Sequence, residues 1–310
     1  MTEKMNTSLL LKTFRDAFFL LTRSKPLILA SSTAFFATFA LPPIIIIITT
    51  SLGLIFRNDS ISFELFSSIQ DLMGVKATEQ LEAIASNFIV LEGNGWIAAG
   101  VFMFFIFAST TLMVVIHDSI HVLWRISITN KNKLKTSLVE RIKAATLILS
   151  IGFLFLLTLF FDMAIALSKD NIHLFFDINE LLILRIIHFI FAFIVVTVWF
   201  SLVFKILPNA YVPWKIAFSG GLVTSVLFGI GKIVLHRFLV RGSIASVFGA
   251  SGSFALILLF IFYTSLIFYF GASFTYMFAK NLSLPIKPGK DANLYIETIL
   301  KQETNSADKI

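Results

Sequence analysis

Residues 254–278 read FALILLFIFYTSLIFYFGASFTYMF. No side chain in this stretch is charged, and it exceeds the ~20 apolar residues that cross roughly 30 Å of hydrocarbon. Its apolar residues surround the helix instead of forming one stripe, as lipid and neighbouring helices require. It therefore reads as a transmembrane helix. Working outward, five further segments read alike, at about 27–56, 95–116, 144–167, 181–204 and 216–239. Composition agrees. Of 310 residues, 57% are apolar, only 14% are charged and 36 are Phe, and the mean hydropathy is +0.89. A soluble globule of this size could not hide so much apolar surface. The expected fold is an all-α membrane protein with six transmembrane helices. Pro42-Pro43 removes two backbone donors near the middle of the first, which is expected to break there.

Lys and Arg in the connections set the orientation. The N-terminal stretch carries Lys4, Lys12, Arg15, Arg23 and Lys25. The connection after the second span carries Arg125, Lys131, Lys133, Lys135, Arg141 and Lys143. Lys205 and Lys215 follow the fourth span, and Lys280, Lys287, Lys290, Lys301 and Lys309 follow the sixth. The alternate connections are acidic, with Asp59, Glu64, Asp71, Glu79, Glu82 and Glu92 in one and Asp170, Asp177 and Glu180 in another. Both termini are expected in the cytoplasm. The net charge of +7 is then explained by topology and contact with the inner-leaflet surface, and no nucleic-acid partner is expected. No cleavable signal peptide is expected, because the first apolar stretch starts late and is too long.

Three regions follow. Residues 1–26 form an interfacial amphipathic helix, with Leu11, Phe14, Phe18 and Leu21 on one face. Residues 27–280 form the transmembrane domain, including an external helical loop at 57–94. Residues 281–310 are polar, contain Pro285, Pro288 and Gly289, and read as a flexible tail.

Ionisable residues inside spans cost roughly 2.5–3.5 kcal/mol each at a helix centre, so they normally face a cavity or a partner. Asp162, Arg185, His188, Lys232 and His236 all fall at similar depth in the outer half. Gly221, Ser225, Gly229, Lys232 and His236 form one small-then-polar stripe. One reading is a basic cavity for a phosphate or carboxylate. The other is structural: Asp162 pairs with Lys232 while Arg185 and His236 reach the interface. Gly249 and Gly252 mark an external turn. His117, Asp118 and His121 place two imidazoles four apart at the end of the second span. No Glu follows the first His, and the reading is a helix end without metal. The absence of Cys excludes disulfides, thiolate zinc sites, iron–sulfur clusters and cysteine nucleophiles. No nucleotide loop or hydrolase motif occurs, so neither a cofactor nor an enzymatic activity is expected.

Leu207-Pro208-Asn209, Val212-Pro213-Trp214-Lys215, Gly220-Gly221, Gly231-Lys232, Phe248-Gly249-Ala250 and Phe270-Gly271-Ala272 occur in that order. With Leu41-Pro42-Pro43 in the first span, the order resembles the YihY/BrkB family of bacterial inner-membrane proteins. The resemblance runs over roughly 8–280. It implies six helices in a bacterial inner membrane, and Pro42, Pro43, Pro208, Gly220, Gly249 and Gly271 as the positions carrying the motif. It also implies transport or lipid translocation, while no residue here supports the family's old ribonuclease label. Ser273 stands where the family often has Glu, so a mechanism needing that acid does not carry over. The expected function is movement of an anionic lipid, amphiphile or small solute through a polar cavity. The alternative is a non-catalytic scaffold or envelope-assembly factor. The bilayer is the expected partner, and homo-oligomerisation is left open.

The topology is directly testable. With no native Cys, Lys76→Cys should react with an impermeant thiol reagent in intact spheroplasts, and Lys133→Cys should not. The reverse pattern would invert the assignment.

Overall fold

The computed structural model describes residues 7–56, 74–90, 95–128, 180–241, 252–289 and 292–295, with isolated positions at 66–70 and 143–161. Helices are α1 (Thr7–Arg23), α2 (Pro26–Phe56), α3 (Val75–Val90), α4 (Gly95–Trp124), α5 (Glu180–Ile206), α6 (Trp214–Arg241) and α7 (Gly252–Asn281). Among the described residues, four short strands accompany them: β1 (Ile126–Ile128), β2 (Ala210–Tyr211), β3 (Lys287–Pro288) and β4 (Ala292–Leu294). Among the described residues, stretches of α4, α5, α6 and α7 are long and apolar enough to cross a membrane, and α1 with Pro26–Pro42 makes a fifth, bent by 73°. The expected span at 144–167 lies largely outside the described residues.

The break expected at Pro42-Pro43 is corrected: α2 runs unbroken from Pro26 to Phe56. Each proline removes one amide donor, freeing the carbonyls of Thr38 and Phe39, but proline's fixed φ suits the helix and the flanking turns continue it. The chain turns instead between α1 and α2. Ser24 donates its amide to Leu21 O at 3.0 Å and its hydroxyl to Leu20 O at 2.9 Å. Lys25 then takes φ 53°, and Pro26 opens the next helix, a left-handed cap followed by a first-turn proline.

Helix α7 is the hub, packed against α1, α2, α3, α4 and α6. On α1, the buried face is Thr13, Ala17, Leu20 and Leu21, while Leu11 and Phe18 are exposed. Phe14 lies 4.9 Å from the Phe274 ring of α7, and Asn281 Nδ2 donates to Thr13 Oγ1 at 3.0 Å. At the other end of the bundle, Ala77 and Leu81 of α3 bury against Ile45, Leu235, Ile257 and Phe260.

The polar stretch expected as a flexible tail is ordered over 281–289 and 292–295, which corrects that expectation. Strand β3 pairs antiparallel with β2, and β4 with β1. Ile286 and Ala292 sink into the main core, so apolar burial anchors a segment that is polar on average.

The α6–α7 crossing is reciprocal. A Cβ on Gly220 would overlap the Thr275 hydroxyl, and one on Gly271 would overlap the Thr224 hydroxyl. Each threonine donates to the glycine four residues earlier on its own helix, Thr224 to Gly220 O and Thr275 to Gly271 O, both at 2.7 Å. A Cβ on Gly221 would fall 2.7 Å from Thr197 O and 2.8 Å from Ser201 N of α5. Gly271→Ala should therefore destabilise by about 1–3 kcal/mol, the usual scale of overpacking. Thr224→Ala should relieve part of it, giving a favourable coupling in a double-mutant cycle of detergent-solubilised protein. Gly221→Ala should not be rescued by Ser201→Ala, because its obstacles include backbone.

Candidate functional site

The end of the bundle where α4, α5 and α7 finish is a polar clasp centred on Asn209. The connection from α5 to α6 is short, and Pro208 and Pro213 prevent either helix from running through it. Asn209 N–H donates to His121 Nε2 on α4 at 3.2 Å. Lys143 Nζ donates to Asn209 Oδ1 at 2.6 Å. Gly289 N–H donates to Asn209 O at 2.8 Å. One residue thereby joins α4, the segment at 143, the α5–α6 connection and the C-terminal strands. Lys205 adds a bond to Val212 O and lies over the Trp214 ring, 5.4 Å from its centroid.

Deeper, Trp124 Nε1–H donates to Ala272 O at 2.9 Å. Tyr269 is fully buried, its hydroxyl 2.5 Å from Thr33 Oγ1 and bonded also to Ser119. Thr33 and Ser119 also donate to Leu29 O at 2.9 Å and Val115 O at 2.6 Å, so the single phenolic proton of Tyr269 serves one of the two hydroxyls at a time. Ser273, where the family resemblance implies a Glu, is fully buried and donates to Tyr269 O at 2.9 Å. It completes helix packing there, and an unpartnered carboxylate in that place would be costly.

Next to Asn209 stand His117 and His121, both buried, and the exposed Asp118. The imidazole centroids are 3.9 Å apart, and His117 Nδ1 is 3.3 Å from Asp118 Oδ1.

The residues expected to line an outer cavity are placed only in part. Asp162 lies outside the described residues, as does Gly249. Arg185 and His236 are in α5 and α6, with their side chains outside the description. His188 is exposed on α5 and Lys232 half-buried on α6. These two helices pack together as an antiparallel pair joined by a short turn, and the Gly221 contact with Thr197 and Ser201 fixes their register. Lys232 stands eleven residues beyond Gly221, and His188 nine and thirteen residues before Thr197 and Ser201. The backbone positions 188 and 232 are thus level. Positions 185 and 236 are nearly level one turn further on. Of the motif prolines, Pro42 and Pro208 are buried and Pro43 is inside α2.

Sequence reasoning missed the clasp and the crossing. The crossing had a signal, Gly-x-x-x-Thr at 220–224 and again at 271–275. The clasp had none, because it joins segments distant in the chain through backbone groups.

Among the described residues, helices of this length and hydropathy define a polytopic membrane protein. The family model described as Virulence factor BrkB matches residues 22–293, and the chain belongs to that family. No curated protein and no solved structure matches the chain.

The clasp yields a prediction. A Cβ on Gly289 would sit 3.0 Å from Asn209 O, so Gly289→Val should unseat the tail and raise amide exchange over 286–294 by about 5- to 10-fold, the value of one lost hydrogen bond. Asn209→Ala removes the Lys143 contact but keeps the backbone carbonyl that accepts from Gly289, and should leave that protection largely intact.

Proposed function

We propose that this protein moves an anionic lipid, amphiphile or small anionic solute across or within a bacterial inner membrane. The reading is non-enzymatic. It rests chiefly on the register of α5 against α6, which sets positions 188 and 232 level, and 185 and 236 nearly so, on two packed apolar helices. Basic residues held at such depth are expensive unless a counter-charge or water reaches them, and an anionic headgroup supplies that counter-charge. Membership in the BrkB family places the chain among membrane proteins and is compatible with this role. A second reading, a non-catalytic scaffold in envelope assembly, draws support from the tight α6–α7 crossing, which leaves no room between those helices around Gly220 and Gly271.

Proteoliposomes carrying fluorescent phosphatidylglycerol test the proposal. The parent chain should speed translocation over protein-free vesicles, Lys232→Ala should lower the rate at least ~10-fold, and Lys232→Arg should retain part of it, in line with one lost charge-assisted contact. Unchanged translocation in Lys232→Ala, at equal reconstituted amounts, would remove the cavity from the account. Failure of Lys232→Ala to accumulate, repaired by Asp162→Asn, would favour the structural pairing instead.

A further inference from the structure

We propose that His117, Asp118 and His121 form a binding site for a divalent transition-metal ion of the zinc class, and that occupancy of this site competes with the clasp at Asn209. The sequence alone places two imidazoles four residues apart, a spacing that puts both on one helical face. The structure adds three observations. The two rings are buried together, with centroids 3.9 Å apart. A third donor converges: one ligand atom from each of His117, Asp118 and His121 lies within 4.8 Å of the others. His-Asp-Ser-Ile-His shares with helix-borne zinc sites the pair of imidazoles at i and i+4, while Asp118 enters the donor set through its proximity to both.

The donor set suits a borderline ion. Imidazole nitrogen with one carboxylate oxygen is the chemistry of zinc and its neighbours, whereas magnesium and calcium favour all-oxygen sets. Asp118 remains exposed, so the site has a polar edge through which an ion could enter and a water could complete four-coordination.

The competition follows from lone-pair arithmetic. His121 Nε2 accepts the Asn209 amide at 3.2 Å, so that nitrogen carries no proton and has one lone pair. A metal ion bound at Nε2 takes the same lone pair. Metal binding should then release the Asn209 amide and loosen the contacts that Asn209 shares with Lys143 and Gly289. The site would couple ion occupancy to the pairing of β2 with β3.

The test uses the full chain in detergent or nanodiscs, carrying a purification tag without histidine, with Zn²⁺ and Co²⁺ as probes. About one equivalent of tightly held metal per chain is expected, with visible cobalt bands typical of a four-coordinate site. His117→Gln and His121→Gln should each weaken binding by more than the ~10–100-fold seen for a merely supporting partner. Because Asp118 is exposed, Asp118→Asn should fold like the parent and still bind at least ~10-fold more weakly. Zinc should raise amide exchange at 207–211 and 286–294 in the parent and have no effect in His121→Gln. Absence of stoichiometric binding, or equal binding in parent and all three variants, would overturn the site. Metal binding that leaves exchange at 207–211 unchanged would overturn the competition with Asn209.

Discussion

The close approach of α6 to α7 is the constraint on which the rest of the bundle depends. Lipid tails are as apolar as the helices, so association within a bilayer relies on packing and not on expulsion of water. Here two glycines and two threonines supply it. Gly220 receives Thr275, Gly271 receives Thr224, and each hydroxyl is satisfied by its own helix. Both threonine hydroxyls at the contact are satisfied, and each glycine leaves the space that the facing threonine side chain fills. Because α7 also bears α1, α2, α3 and α4, a shift at this crossing would propagate to every neighbour.

Gly221 extends the same device to α5, where it meets backbone atoms of Thr197 and Ser201. That contact converts a stripe of small residues into a register. It is the reason the basic positions of α5 and α6 fall at matching levels, and hence the physical basis for reading them together. The apolar faces outside these contacts, including Phe189, Ile190, Ile230 and Ile233, remain exposed, as lipid-facing surface should.

At the opposite pole from α3, order comes from hydrogen bonds between segments that the sequence keeps far apart. Asn209 accepts from Lys143 and Gly289 and donates to His121. The left-handed residues Arg125 and Ser283 end α4 and α7 beside it and turn the chain into β1 and toward β3. Tyr295 N–H then reaches Arg125 O at 2.9 Å, joining the tail to the end of α4. The histidine pair sits against this network, so chemistry at the imidazoles and the seating of the tail are coupled through one amide.

Much of this molecule was legible in the chain alone, because the bilayer imposes a length and hydropathy rule that each segment satisfies locally. Helices α4, α5, α6 and α7 appear where unbroken apolar runs demanded them, α1 appears where apolar residues recur at helical spacing, and the family resemblance read from prolines and glycines in order agrees with the family match over 22–293. Three features depended on tertiary structure. Pro42-Pro43 looked like a break, yet α2 continues through it, since the loss of two donors does not by itself decide the path of a packed helix. The tail looked flexible by composition, yet Ile286 and Ala292 bury and its amides find strands β1 and β2. The pairing of Gly220 with Thr275, and of His121 with Asn209, required the fold, because a contact between residues distant in sequence is set by how helices pack and leaves no local periodicity to read.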